Sequence, residues 1–386
     1  LFHYTIYNWT SLIKLNAKKL IHFFLLPFFT LCYNQRDNSR RDVIVMQKIM
    51  LGSYTKKDSQ GVYTIDFDSN TKELTNLTVL IKEDNPTFVD ASKNNVVYAV
   101  SKDGSLGGVA AYKETANGSY SFLNRVSEEG APPCYVAVDE ARQLVYGANY
   151  HKGVLTSYTI NEDGSLTLAD RVQHEGNGPH ENQGGPHAHY SDLTPDNRLA
   201  VCDLGNDTVY TYDVDNNGKL TEVAKFKAQP GTGPRHLVFH PNNETAYLFG
   251  ELSNEVVVLS YHSATGEFTE EQVISTLPEG FNEFNGGAAI RVSKDGKFLY
   301  ASNRGHNSLV AYKIADDSKS IEVIQHISVE GDFPRDFDIS PDQNFVIVAN
   351  QNTDNLTLYS RNTETGILTL IKKDIYAPEI VCIKFI

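Results

Sequence analysis

One motif returns through this chain at intervals of 44 to 53 residues, and no other feature limits the possible folds as strongly. Its copies are anchored at Pro86, Pro133, Pro186, Pro234, Gly287, Pro334 and Pro378. After each anchor apolar and polar residues alternate, as in Pro234-Arg-His-Leu-Val-Phe-His and Pro334-Arg-Asp-Phe-Asp-Ile-Ser. A polar turn follows (His240-Pro-Asn-Asn, Ser340-Pro-Asp-Gln), then a second apolar strand at 144–149 or 345–350. A third strand alternates around a tyrosine, at 154–158 or 256–261, and a further turn leads to a fourth. An apolar period of two, broken by turns roughly every ten residues, specifies antiparallel strands and excludes a helical solenoid. Each repeat therefore reads as one four-stranded sheet.

Six complete units fill 86–377, and a seventh is divided between the ends. Residues 378–386 supply a first strand alone, and 49–81 supply the other three. Joining them predicts an all-β, seven-bladed β-propeller closed by pairing of its N- and C-terminal strands, which leaves no open edge at the seam. Neither the double-glycine mark of kelch repeats nor the Trp-Asp dipeptide of another propeller class occurs.

The propeller is assigned to 46–386. Residues 1–45 hold six basic and two acidic side chains, so they carry +4 of a formal net charge of −14 and leave −18 for the rest. We read them as an extension outside the domain, a translated upstream segment or leader, with Met46 as the expected start. The apolar run at 20–33, broken by Pro27, is too short to span a bilayer reliably. The propeller is thus expected to be cytoplasmic, off the membrane, and a monomer or weak homodimer. So acidic a body argues against a nucleic-acid partner. Four cysteines without a Cys-x-x-Cys pair exclude a disulfide scaffold or a cysteine zinc ribbon.

In a propeller the start of strand one and the end of strand two meet at one mouth of the central channel. One residue past the anchors stand Thr87, Cys134, His187, Arg235, Ala288, Arg335 and Glu379. The ends of strand two carry Lys102, Tyr150, Leu204, Glu251, Arg304 and Gln351, 16 to 18 residues past their anchors. Repeat phase alone thereby gathers His187, Arg235, Arg304, Arg335, Lys102 and Glu251 on one rim. Three guanidinium forks on an acidic protein suit a small carboxylate- or phosphate-bearing molecule.

His187 and His189 are two apart on an expected strand and should share a face. A metal site would need a third and fourth ligand that the sequence does not place, so neither a metal nor a cofactor is expected. An imidazole titrates near neutrality, which makes His187 the expected general base and His189 a supporting group. His174, His240, His262 and His326 read as structural or solvated, and Cys134, Cys202 and Cys382 as small buried hydrophobes.

Gly185-Pro-His-Ala-His189, Gly233-Pro-Arg-His-Leu-Val-Phe-His-Pro241, Gly250-Glu-Leu252 and Tyr300-Ala-Ser-Asn-Arg304 closely resemble the bacterial seven-bladed 6-phosphogluconolactonase family, related to fungal muconate-lactonising enzymes. The resemblance covers about 49–386. Matched by motif, His187, Arg235, Glu251 and Arg304 fall on the family's proposed catalytic positions. Arg335, Lys102, Tyr150, His189 and His236 are the expected substrate contacts. The resemblance implies hydrolysis of an anionic sugar lactone in the oxidative pentose phosphate route. A lactone-forming cycloisomerase, or a non-catalytic propeller binding a small anion or protein loop, would reuse the same polar groups.

Overall fold

A computed structural model describes residues 46–386, and the expectations for 1–45 lie outside the described residues. Seven four-stranded antiparallel sheets are present. Six are consecutive in sequence and span 89–129, 135–173, 188–227, 234–275, 286–328 and 334–376. The seventh has the order β28 (Ile380–Phe385), β1 (Met46–Ser53), β2 (Gly61–Asp68), β3 (Glu73–Lys82). Leu51 pairs with Ile383 and Gly52 with Cys382 across the seam, so the split blade closes as the repeat requires. Among the described residues no helix is long and apolar enough to cross a membrane.

The inner strands are β28, β4 (Val89–Ala91), β8 (Tyr135–Asp139), β12 (Ala188–Leu193), β16 (Pro234–Phe239), β20 (Gly286–Val292) and β24 (Pro334–Ile339). Their neighbours, such as β13 (Leu199–Asp203), β17 (Thr245–Gly250) and β21 (Phe298–Arg304), are almost wholly buried because both faces pack against adjacent blades. Tyr98, Tyr146, Tyr247 and Tyr300 repeat at one position of strand two and are fully buried. Their hydroxyls find partners at Gly164, Asp139, Ser318 and Gly366, so burial of the ring leaves no polar tip unpaired.

One irregularity recurs where the inner strands begin. The pairing of β12 with β13 steps from Ala188–Asp203 to Tyr190–Cys202, leaving His189 as an extra residue. The same step leaves Arg235 extra in β16, Arg335 in β24 and Val381 in β28. A bulge of this kind turns the extra side chain out of the alternating pattern. Here it turns them toward one end of the channel.

Candidate active site

At that end lies a cavity of about 660 Å³, within the size range of small-molecule sites. Its wall includes Tyr54, Lys56, Lys102, Tyr150, His189, Glu251, Arg304 and Arg335. Beneath it a constriction is ringed by the bulged residues His189, Arg235, Arg335 and Val381 together with Thr87 and Cys134, which precede the inner strands of their blades.

Glu251 follows β17 and is the focus of charge. Its Oε2 accepts from Arg235 Nε at 2.9 Å and lies 3.0 Å from Arg304 Nη2. Both arginines are further fixed by backbone carbonyls. Arg235 Nη1 donates to Ala288 O at 2.8 Å, and Arg304 Nη2 donates to Gly287 O at 2.6 Å. Gly286 and Gly287 matter for this. A Cβ on Gly287 would fall 2.6 Å from the Phe249 ring, and one on Gly286 3.1 Å from Arg304 Nη2. Glu251 Oε1, Arg235 Nη2 and Arg304 Nη1 have no protein partner among the described residues.

Burial opposes the charge on Glu251, but Arg304, Arg235 and Arg335 outweigh it and hold the carboxyl below its usual range. Burial first, and Arg304 second, push the Arg235 guanidinium down to about 9, so it stays charged at neutral pH. His189 is 5% exposed, and its pKa lies well below that of a free imidazole, because of burial first and then Arg235, Arg335 and Arg304. It is therefore neutral, and its buried Nδ1 has no hydrogen-bond partner.

The structure corrects the placement of His187. Strand β12 starts at Ala188, so His187 precedes it, and the bulge at His189 breaks the expected common face. His187 stacks on Tyr150 at 4.3 Å and donates from Nδ1 to the Tyr150 carbonyl at 2.7 Å. Its own amide is held by Asp203 Oδ1, whose Oδ2 pairs with buried His174. It is Tyr150, not His187, that lines the cavity. In blade 188–227 the residue equivalent to Arg235 and Arg335 is His189. The anchor proline there stands two residues further upstream, and a shift of two leaves alternation unchanged. Counting back six from the turn proline finds the right residue each time: Pro195 gives His189, Pro241 gives Arg235 and Pro341 gives Arg335.

The same slip displaces Glu379. Its carboxylate accepts from the backbone amides of Lys56, Lys57 and Ser59 and takes no part in the cavity wall. His236 is buried below the cavity, edge-on to Tyr135 and 5.2 Å from the His189 ring. Lys102 and Tyr150 line the cavity as expected. Tyr54, Lys56, Asn85 and Ser105 also line it but went unread in the sequence. Tyr54 follows β1 at the strand-two position that Glu251 holds after β17, but the split blade has no upstream anchor to count it from, and the other three stand on loops or turns. Among the described residues no group of three or more His, Cys, Asp or Glu is placed to hold a metal ion.

The family model described as "Lactonase, 7-bladed beta-propeller" matches residues 48–385. A 6-phosphogluconolactonase of Bacillus subtilis is 42% identical over 340 residues, covering 87% of this chain and 97% of the relative. A crystal structure of a Lactobacillus plantarum protein is 50% identical with a TM-score of 0.87, covering 88% of this chain and 99% of that one. The periplasmic gluconolactonase PpgL of Pseudomonas aeruginosa is 27% identical with a TM-score of 0.83 over 88% of this chain and 99% of its own. By fold, by the match across all seven blades and by these relatives, the chain belongs to the seven-bladed β-propeller lactonase family.

Proposed function

We propose that the protein hydrolyses a six-carbon sugar lactone, with 6-phosphogluconolactone as the preferred substrate. One observation carries the reading: a carboxylate bridges two buried guanidinium groups at a cavity wall while one of its oxygens and a terminal nitrogen of each arginine stay unpartnered. Water attacking the lactone carbonyl carbon gives its proton to Glu251 Oε1. Negative charge leaves the carboxylate as it appears on the carbonyl oxygen, and the same two arginines follow it. The carbon–ring oxygen bond then breaks, and the proton passes from Glu251 to the departing ring oxygen. His189, neutral and buried in the wall, orients the water. Protonating His189 means adding charge beside three arginines, and His187 lies outside the cavity wall, which leaves Glu251, already an anion there, as the base.

The name of the Bacillus subtilis relative supports a phosphorylated substrate. That of the Pseudomonas aeruginosa structure supports an unphosphorylated gluconolactone as the second reading. Initial rates on both lactones, measured above spontaneous opening and with chelator present, decide between them. A chain that accelerates neither is not a lactonase of this kind.

A further inference from the structure

We infer that Lys56, Lys102 and Arg335 form a phosphate-monoester subsite on the cavity wall built by three consecutive blades, apart from the carboxylate-bridged arginines that face the reacting carbonyl. The inference rests on the lactonase reading for the identity of the ligand. Arg335 comes from the bulge of β24, Lys56 from the loop after β1, and Lys102 from the end of β5 (Val96–Asp103). Their blades follow one another around the ring across the seam, whereas Glu251, Arg235 and Arg304 stand on the two blades 234–275 and 286–328.

The two cation sets differ in commitment. Of the nine arginines at 46–386, eight make an ion pair and Arg335 makes neither an ion pair nor a hydrogen bond among the described residues. The ammonium groups of Lys56 and Lys102 likewise have no acidic partner there. Glu379, whose carboxylate accepts the Lys56 amide, is spent on backbone amides. Tyr54 instead holds two of the cations by its ring face, with Lys56 Nζ at 4.0 Å and Arg335 Cζ at 5.8 Å. An aromatic face fixes a cation without cancelling its charge. In a chain of net charge −14, three cations without an ion pair on one wall call for an external anion. A dianionic phosphate with three acceptor oxygens uses all three, which a single carboxylate does not.

The full chain is tested as wild type, Arg335→Ala, Lys102→Ala and Arg335→Lys, each checked by thermal melting. Two quantities are read: equilibrium binding of 6-phosphogluconate against gluconate, and kcat/KM on the phosphorylated against the unphosphorylated lactone. Arg335→Ala should lose about 10- to 100-fold more on the phosphorylated member of each pair, the size of a lost charge-assisted hydrogen bond. Lys102→Ala should lose less, and Arg335→Lys should recover part of the difference. Equal losses on both members, or a wild type indifferent to the phosphate, would overturn the subsite. If the wild type opens neither lactone, the lactonase reading fails, and the binding arm still judges the subsite: preference for the phosphorylated acid upholds it and its absence removes it.

Discussion

The channel has two mouths, and both are full of charge. At the mouth opposite the cavity, Arg291 pairs with Asp336 at 2.8 Å and approaches Asp338 at 3.7 Å, while Lys384 pairs with Asp90. These carboxylates also accept backbone amides of the next blade: Asp90 from Val138, Asp336 from Ile383 and Asp338 from Phe385. Each acid there ties one inner strand to its neighbour. Burial opposes the charge of Arg291, yet Asp336 and Asp338 raise its pKa, so both cations of this mouth are held by carboxylates. At the cavity end one carboxylate serves two arginines, and three further cations make no ion pair among the described residues. Cations tied to carboxylates, and carboxylates tied to strand amides, hold the ring together, whereas cations left without an ion pair are available to a ligand.

Breaking the cavity end should have the largest effect. Glu251→Gln is expected to cut kcat about 10²- to 10⁴-fold while the fold persists, measured as turnover per folded molecule. In the wild type the acid limb of kcat/KM should lie below about pH 4.5, since Glu251 is held below its ordinary pKa and must be protonated before it stops accepting protons. An acid limb between about pH 6 and 7 would instead give the proton to an imidazole.

Breaking the opposite mouth should cost stability instead. Arg291→Met leaves Asp336 buried without its partner and should destabilise by about 3–5 kcal/mol in denaturant unfolding. Activity of the molecules that remain folded should change little. A loss of activity without loss of stability would erase the distinction between the mouths.

A milder change sharpens it. Asp192 lies at the opposite mouth, where burial raises its carboxyl to about 6. An acid with a raised folded pKa destabilises once pH exceeds its unfolded pKa, and the penalty is complete above the folded one. Asp192→Asn should therefore raise stability by about 1–3 kcal/mol at pH 7–8, with the gain gone below about pH 4. A gain independent of pH would mean that ionisation is not its cause.

The smallest effect separates the two histidines. His189→Ala should slow turnover about 2- to 10-fold through loss of one neutral hydrogen bond to water. His187→Ala should act mainly on substrate affinity, because it removes the support beneath Tyr150. The reverse ranking would return His187 to the chemistry.

How the sequence exposed some of this and hid the rest follows from what repeats. Arg235, Arg304, Arg335 and Glu251 were legible because they keep a constant distance from their anchors, and so was the split blade. His189 was named only as a supporting partner of His187, because its equivalence to Arg235 and Arg335 is masked by a two-residue slip, invisible to a pattern of period two. The bulges that aim these side chains leave no mark in polarity, Tyr54 stands in phase but in the one blade without an upstream anchor, and Lys56 answers only to the path of a loop. The pairing of Arg235 and Arg304 with one carboxylate was likewise beyond reach, since phase places residues on a rim without saying which will touch.

The seam between β1 and β28 also orders events in time. On a ribosome the chain emerges from its N-terminal side, so β1 to β3 appear first and wait, with the inner edge of their sheet unpaired, until the last strand of the propeller is made. Six blades can stack in the order of synthesis, but the ring cannot become a ring before β28 arrives. For most of translation the nascent protein carries a sticky strand edge at its leading end. Slowing release, or burdening 380–385 with a fused partner, should therefore harm the yield of folded protein more than an equal burden on any outer loop.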